Sequence, residues 1–192
     1  MGAVRKLIRS AKTPLPVFAV VLGVGIGILG GSAFAAEVNC SHVAEFCYGT
    51  TNNDQITGWN NTNIIEAKSG HDDVWAYPGT DTVFGGDDAD NVNGGEQNDA
   101  LYGEYGNDSY WVVGGSNGLF GGPGPDNLFG GVGQDFLEGN GSPDNMYGND
   151  HSDVFFAQDG VGDVVDGNGS TPGVEQPCYV DGYDAWSNCT PH

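Results

Sequence analysis

Residues Gly121–Phe129 and Gly130–Glu138 read GGPGPDNLF and GGVGQDFLE. The two nine-residue units share one order: two glycines, a free position, a glycine, a free position, an aspartate, then a short run with an apolar centre. A fixed short period is the sequence mark of a solenoid. Gly-Gly-x-Gly makes a tight turn, because glycine adopts backbone angles that other residues avoid. The aspartate adds carboxylate oxygen beside bared backbone carbonyls, and hard oxygen ligands are what calcium prefers. The closing residues leave room only for a very short strand.

The period extends far beyond this pair. Counting in nines from Gly49 to Phe156 gives twelve units without insertion or deletion. The sixth place holds Asp54, Asn63, Asp72, Asp81, Asp90, Asp99, Asp108, Asn117, Asp126, Asp135, Asp144 and Asp153. The eighth holds Ile56, Ile65, Val74, Val83, Val92, Leu101, Tyr110, Leu119, Leu128, Leu137, Met146 and Phe155, all apolar or aromatic. The first place is glycine except at Ala67, Ala76 and Val112. A disordered Gly/Asp/Asn linker is the plain alternative for such a composition. A linker has no reason to keep an apolar residue at one place twelve times running, whereas a single buried column does.

The unit resembles the nonapeptide of the repeats-in-toxin, or hemolysin-type calcium-binding, family, G-G-x-G-x-D-x-apolar-x. Gly121–Phe129 and Gly130–Glu138 match it in full; Gly103–Trp111 has Glu104 for one glycine, and Val112–Phe120 has Asn117 for the aspartate. The units GTTNNDQIT and GWNNTNIIE are the weakest. The resemblance implies an all-β fold, a parallel β-roll solenoid in which two nonapeptides make one coil and turns alternate between two sides. It implies calcium between same-side turns, with Asp54, Asp72, Asp81, Asp90, Asp99, Asp108, Asp126, Asp135, Asp144 and Asp153 as metal ligands. The odd side runs without a break from Asp54 to Asp144, whereas Asn63 and Asn117 interrupt the even side, so about seven good sites are expected.

The chain has 192 residues, enough for one domain. Arg5, Lys6, Arg9 and Lys12 precede an apolar run from Leu15 into Ala36, and Ala33-Phe34-Ala35 fits a signal-peptidase site. Residues 1–35 therefore read as a secretory signal cut before Ala36, with an uncleaved anchor as the rival. Lys68 is then the one basic side chain left against 26 acidic residues, a formal charge of −25. Self-repulsion of that size opposes compaction without metal. It also argues against nucleic acid, which needs basic patches. No stable membrane insertion is expected after cleavage.

Four cysteines in a secreted chain suggest two disulfides with three possible pairings. Cys40–Cys47 and Cys178–Cys189 would each close a short loop at one end of the solenoid, where an open core must be hidden. Residues 36–48 and 170–192 thus read as caps flanking a roll over 49–169. After Phe156 the phase slips by one residue, placing Asp163 and Val165 in the usual relation, and YVDGYDAWS returns to the pattern with Asp184 and Trp186.

The ninth place is the outward neighbour of the buried column, because side chains alternate along a strand. It holds Trp75, Phe84, Tyr102, Trp111, Phe120, Phe129, Tyr147 and Phe156. Cross-strand stacking explains such ladders, and a face for a cell-surface glycan or protein is the functional alternative. No catalytic motif stands out: His42, His71, His151 and His192 share no spacing, and the cysteines are better used as disulfides. The sequence therefore reads as an extracellular, non-catalytic calcium-binding module that folds with its metal and serves a structural or surface-interaction role. A glycan- or ice-binding protein and an accessory fragment of an exoenzyme system are the alternatives.

Overall fold

The computed structural model describes residues 36–40, 46–168 and 176–192. The proposed signal, residues 1–35, lies outside the described residues, as do 41–45 and 169–175 within the expected caps. The strands are β1 (Glu37–Asn39), β2 (Phe46–Tyr48), β3 (Gln55–Thr57), β4 (Ile64–Ser69), β5 (Asp73–Trp75) and β6 (Thr82–Asp87). Next come β7 (Asn91–Asn93), β8 (Ala100–Tyr105), β9 (Ser109–Trp111), β10 (Gly118–Phe120), β11 (Asn127–Phe129) and β12 (Phe136–Glu138). The last are β13 (Asn145–Tyr147), β14 (Val154–Phe156), β15 (Val164–Asp166), β16 (Pro177–Tyr179), β17 (Ala185–Ser187) and β18 (Thr190–Pro191).

The odd strands form one nine-stranded sheet in chain order, and the even strands form a second. All pairs are parallel, and within the repeats partners are one coil apart: Leu128 lies beside Tyr110 and Met146, Leu119 beside Leu101 and Leu137. A three-residue strand has too few hydrogen bonds to stand alone, so each depends on the coil before and after it. This is the expected parallel β-roll, with two nonapeptides per coil.

The eighth-place residues from Ile56 to Phe155 are all at most 1% exposed and form the core between the sheets. Residues on either side of them face outward, as pleating requires. After Phe156 the register shifts as the sequence predicts: Asn145 pairs with Val164, and Val165 then pairs with Trp186. At the start of the roll, β1 and β2 are in register with β3 and β4, so residues 37–39 and 46–48 extend both sheets. Cys40 is bonded to Cys47, and Cys178 to Cys189, with Cα separations of 5.3 and 5.9 Å. The two disulfides lie near opposite ends of the roll.

Most turns use the left-handed region at the second place of the unit, with Thr50, Trp59 and Val113 as exceptions. Gly122 and Gly131 supply it at φ of +105° and +83°, and Lys68, Tyr77 and Glu104 adopt it despite their side chains. On the outside, Phe84, Tyr102 and Phe120 stack at centroid distances of 5.0 and 4.9 Å. The even-face ladder continues through Phe136, Phe156 and Tyr179 to His192. Phe136 stands at a seventh place and fills the gap left by Glu138 at the ninth. On the odd face Phe129 stacks on Tyr147 at 5.1 Å.

Candidate metal centre

Each turn presents its sixth-place side chain inward, at the mouth of the coil. The column is held by one repeated contact. The backbone N–H of a sixth-place residue donates to Oδ1 of the sixth-place side chain one coil later, as from Asp90 to Asp108 at 2.8 Å and from Asp108 to Asp126 at 2.7 Å. The same bond links Asp72 to Asp90, Asp81 to Asp99 and Asp135 to Asp153. Every one of the ten aspartates chosen from the sequence is buried, at no more than 4% exposure.

One oxygen per carboxylate is left over. Oδ2 of Asp72, Asp81, Asp90, Asp99, Asp108, Asp126, Asp135, Asp144, Asp153 and Asp163 is buried and has no hydrogen-bond partner among the described residues. Buried polar atoms are rarely left unpaired in native proteins, so a row of ten calls for an explanation. In Asp90, Asp99, Asp108, Asp126, Asp135, Asp144 and Asp153 this oxygen lies over the first-place glycine of its own turn. A Cβ added to Gly121 would come within 2.3 Å of Asp126 Oδ2, and one added to Gly103 within 2.0 Å of the Gly121 carbonyl. Glycine there keeps open a cradle of carboxylate and carbonyl oxygen.

Burial raises these carboxyls. Asp90 and Asp126 are pushed up to about 8, with neighbouring aspartates of the column adding to the effect. Asp72, Asp99, Asp144, Asp153 and Asp163 rise to about 7, and Asp81, Asp108 and Asp135 to about 6, burial again the main cause. The donated N–H bonds act the other way. Without a cation, the column opposes its own ionisation.

Among the described residues no three His, Cys, Asp or Glu side chains gather at one point. The carboxylates are spread one per turn, and a cation here would need backbone carbonyls as further ligands. Asn63 shows that they converge. Its Nδ2 lies 2.9 Å from Trp59 O, 2.6 Å from Asn61 O, 3.3 Å from Ala76 O and 2.8 Å from Asp81 Oδ1. Two turns thus aim four oxygens at one spot. An oxygen-rich cradle of backbone carbonyls with one carboxylate per turn fits calcium better than magnesium, which demands tighter octahedral geometry.

The two ends of the odd column differ from its middle. Asp54 heads it, but Oδ2 accepts the Thr50 N–H, and Oδ1 accepts the Thr50 hydroxyl and the Ala36 N–H. Asp184 closes it: Oδ1 accepts from Asp163 N–H and Oδ2 from Asp181 N–H. Between them Asp163 joins the column, receiving the Asp144 N–H at 2.9 Å. Its place in the repeat is legible once one inserted residue is allowed. Gln176 is less so. It stands before β16 as a sixth-place residue, with Oε1 buried and unpartnered. The long insertion before it hides the phase, and only the pairing of Phe155 with Cys178 reveals it.

A search among curated proteins found no match to an individual protein. The family model for the RTX calcium-binding nonapeptide repeat (4 copies) matches residues 45–74, 75–110, 84–119, 111–144 and 129–164. Together these segments cover residues 45–164, more than half of the chain, so the protein belongs to the RTX family of calcium-binding nonapeptide repeat proteins.

Proposed function

We propose that this calcium-binding roll is exported, cleaved before Ala36, and works outside the cell as a non-catalytic structural or surface-interaction module whose folding is coupled to its metal. The observation that carries the metal-coupled part is the row of ten buried, unpartnered Oδ2 atoms. Calcium, when bound, supplies the positive charge these oxygens lack and accepts carbonyl oxygen alongside them. The residues that would hold it are Asp72, Asp81, Asp90, Asp99, Asp108, Asp126, Asp135, Asp144, Asp153 and Asp163. Same-side neighbours both carrying a free oxygen are 72/90, 90/108, 108/126, 126/144, 144/163, 81/99 and 135/153. That keeps the expected number at about seven, with 144/163 replacing 54/72.

Export is supported by the basic-then-apolar start, the small-x-small stretch before Ala36 and the four disulfide-bonded cysteines. A metal site that exists only in the folded chain contributes its binding free energy to folding. In chelator the chain should lose most of its β signal by circular dichroism and regain it with millimolar calcium, with magnesium a poor substitute. An unchanged spectrum after thorough chelation would sink the coupling.

A further inference from the structure

We propose that the Asn63 amide is an internal stand-in for calcium, and that it makes the first coil a metal-independent foundation for the rest of the roll. This rests on the calcium reading of the aspartate column. Asn63 is 1% exposed, and its side chain is fixed in one sense. Its Oδ1 accepts the Trp59 N–H at 3.3 Å, while Nδ2 faces the four oxygens of Trp59, Asn61, Ala76 and Asp81. Turned the other way, an acceptor would face four acceptors and the Trp59 N–H would face a donor. Where every interior aspartate points a bare oxygen into its cradle, Asn63 points hydrogen.

The odd side of the same coil is closed by different groups to the same end. Asp54 has both oxygens engaged by Thr50 and Ala36. Lys68 donates its ammonium to the Gly49 carbonyl at 2.7 Å and lies 5.6 Å from the Tyr48 ring centroid. Lys68 is the only basic side chain after residue 35, and it serves this coil. The Cys40–Cys47 bond ties β1 to β2 beside it. From Asp72 onward this protection stops, and each column aspartate has an unpartnered oxygen as far as Asp163, Asn117 excepted. A roll of dependent coils needs one edge that stands before the next can pair with it. Donor-filled cradles give the first coil that property without metal.

The test combines ion counting by native mass spectrometry with hydrogen exchange in chelator, on the disulfide-bonded chain and on Asn63→Asp and Asn63→Ala. The parent chain should keep amides over residues 55–67 at least about tenfold slower in chelator than those over 100–156. Asn63→Asp should bind one more calcium ion at saturation, lose that protection in chelator, and recover it with calcium. Asn63→Ala should lose the protection and gain no ion. The proposal is overturned if Asn63→Asp binds no more ions than the parent, or if residues 55–67 of the parent exchange in chelator as fast as the rest. Failure of the parent to bind calcium at all would instead overturn the reading on which the proposal rests.

Discussion

The odd and even sides of the roll have the same spacing but are held by different chemistry. The odd column runs from Asp72 to Asp163 with a bare carboxylate oxygen at every turn, while its outer face carries the Phe129–Tyr147 stack. The even column is broken at Asn63 and Asn117, yet its outer face carries an aromatic ladder from Phe84 to Tyr179. One side concentrates charge that a metal must neutralise, and the other adds contacts that need no metal. The comparison teaches that identical backbone repeats can divide the work of holding a solenoid between cation binding and stacking.

The largest expected effect follows from protonation. The folded carboxyls sit at about 6 to about 8 against an ordinary value of 3.8, so the metal-free fold takes up protons relative to the unfolded chain. With raised folded-state values, this stabilising contribution is complete below about pH 4 and is lost as pH rises through 6 to 8. In chelator, β signal should therefore be highest near about pH 4 and fall steeply toward about pH 8. Calcium reverses the sense, because its ligands must be deprotonated, so more calcium is needed as pH falls below about 7. The odd side holds both carboxyls raised to about 8, and residue-level exchange should show it giving way at least as readily as the even side. A metal-free β signal that rises with pH would contradict the picture.

A smaller effect separates the columns directly. Asp126→Asn keeps the oxygen that accepts the Asp108 N–H but removes the charge from the middle of the odd column. It should raise the calcium midpoint for folding several-fold, read by circular dichroism titration. The reverse change, Asn117→Asp, should lower it little by itself. Asn117 Nδ2 donates to Asp135 Oδ1 at 2.8 Å, and Val112 Cγ1 would lie 2.8 Å from a Cβ on Gly94, in the adjoining even-side interval between Asp99 and Asn117. Only Asn117→Asp combined with Val112→Gly should add ions, at 99/117 and 117/135. Equal midpoint shifts for Asp126→Asn and Asn117→Asp, in opposite directions, would show that the two sides do not differ.

Most of the fold was legible because each structural demand falls on a fixed place in the nine. The eighth place from Ile56 to Phe155 declared the core, and the sixth place declared both columns. The extra residue before Asp163 shifted the count without disguising it. What remained hidden was whether a given oxygen has a partner. Asp54 and Asp72 look alike in sequence, but Thr50 closes one and nothing closes the other. That depends on how one turn bends back on itself, which the period does not encode. Gln176 was hidden because the insertion before it erases the count. Phe136 was missed as a ladder member because it stands at the seventh place, which shares the outer face with the ninth.

The smallest expected effect concerns the ladders. Tyr102 is stacked on both sides, at 5.0 Å from Phe84 and 4.9 Å from Phe120, with interplanar angles of 12° and 5°. Phe129 has a single stacked partner among the described residues, Tyr147. Aromatic pairs contribute about 0.5–1.5 kcal/mol beyond area burial. Tyr102→Ala breaks two pairs and should cost about 1–3 kcal/mol in the calcium-loaded roll, against about half of that for Phe129→Ala. Neither change touches a sixth-place oxygen, so neither should alter the number of ions bound. Both can be read from urea unfolding at saturating calcium, with ion counts by native mass spectrometry. If Phe129→Ala proved the more damaging, the even face would not be the stacked side of the roll. If either change released calcium, the faces and the columns would be coupled, and the division of labour between metal and stacking would fail.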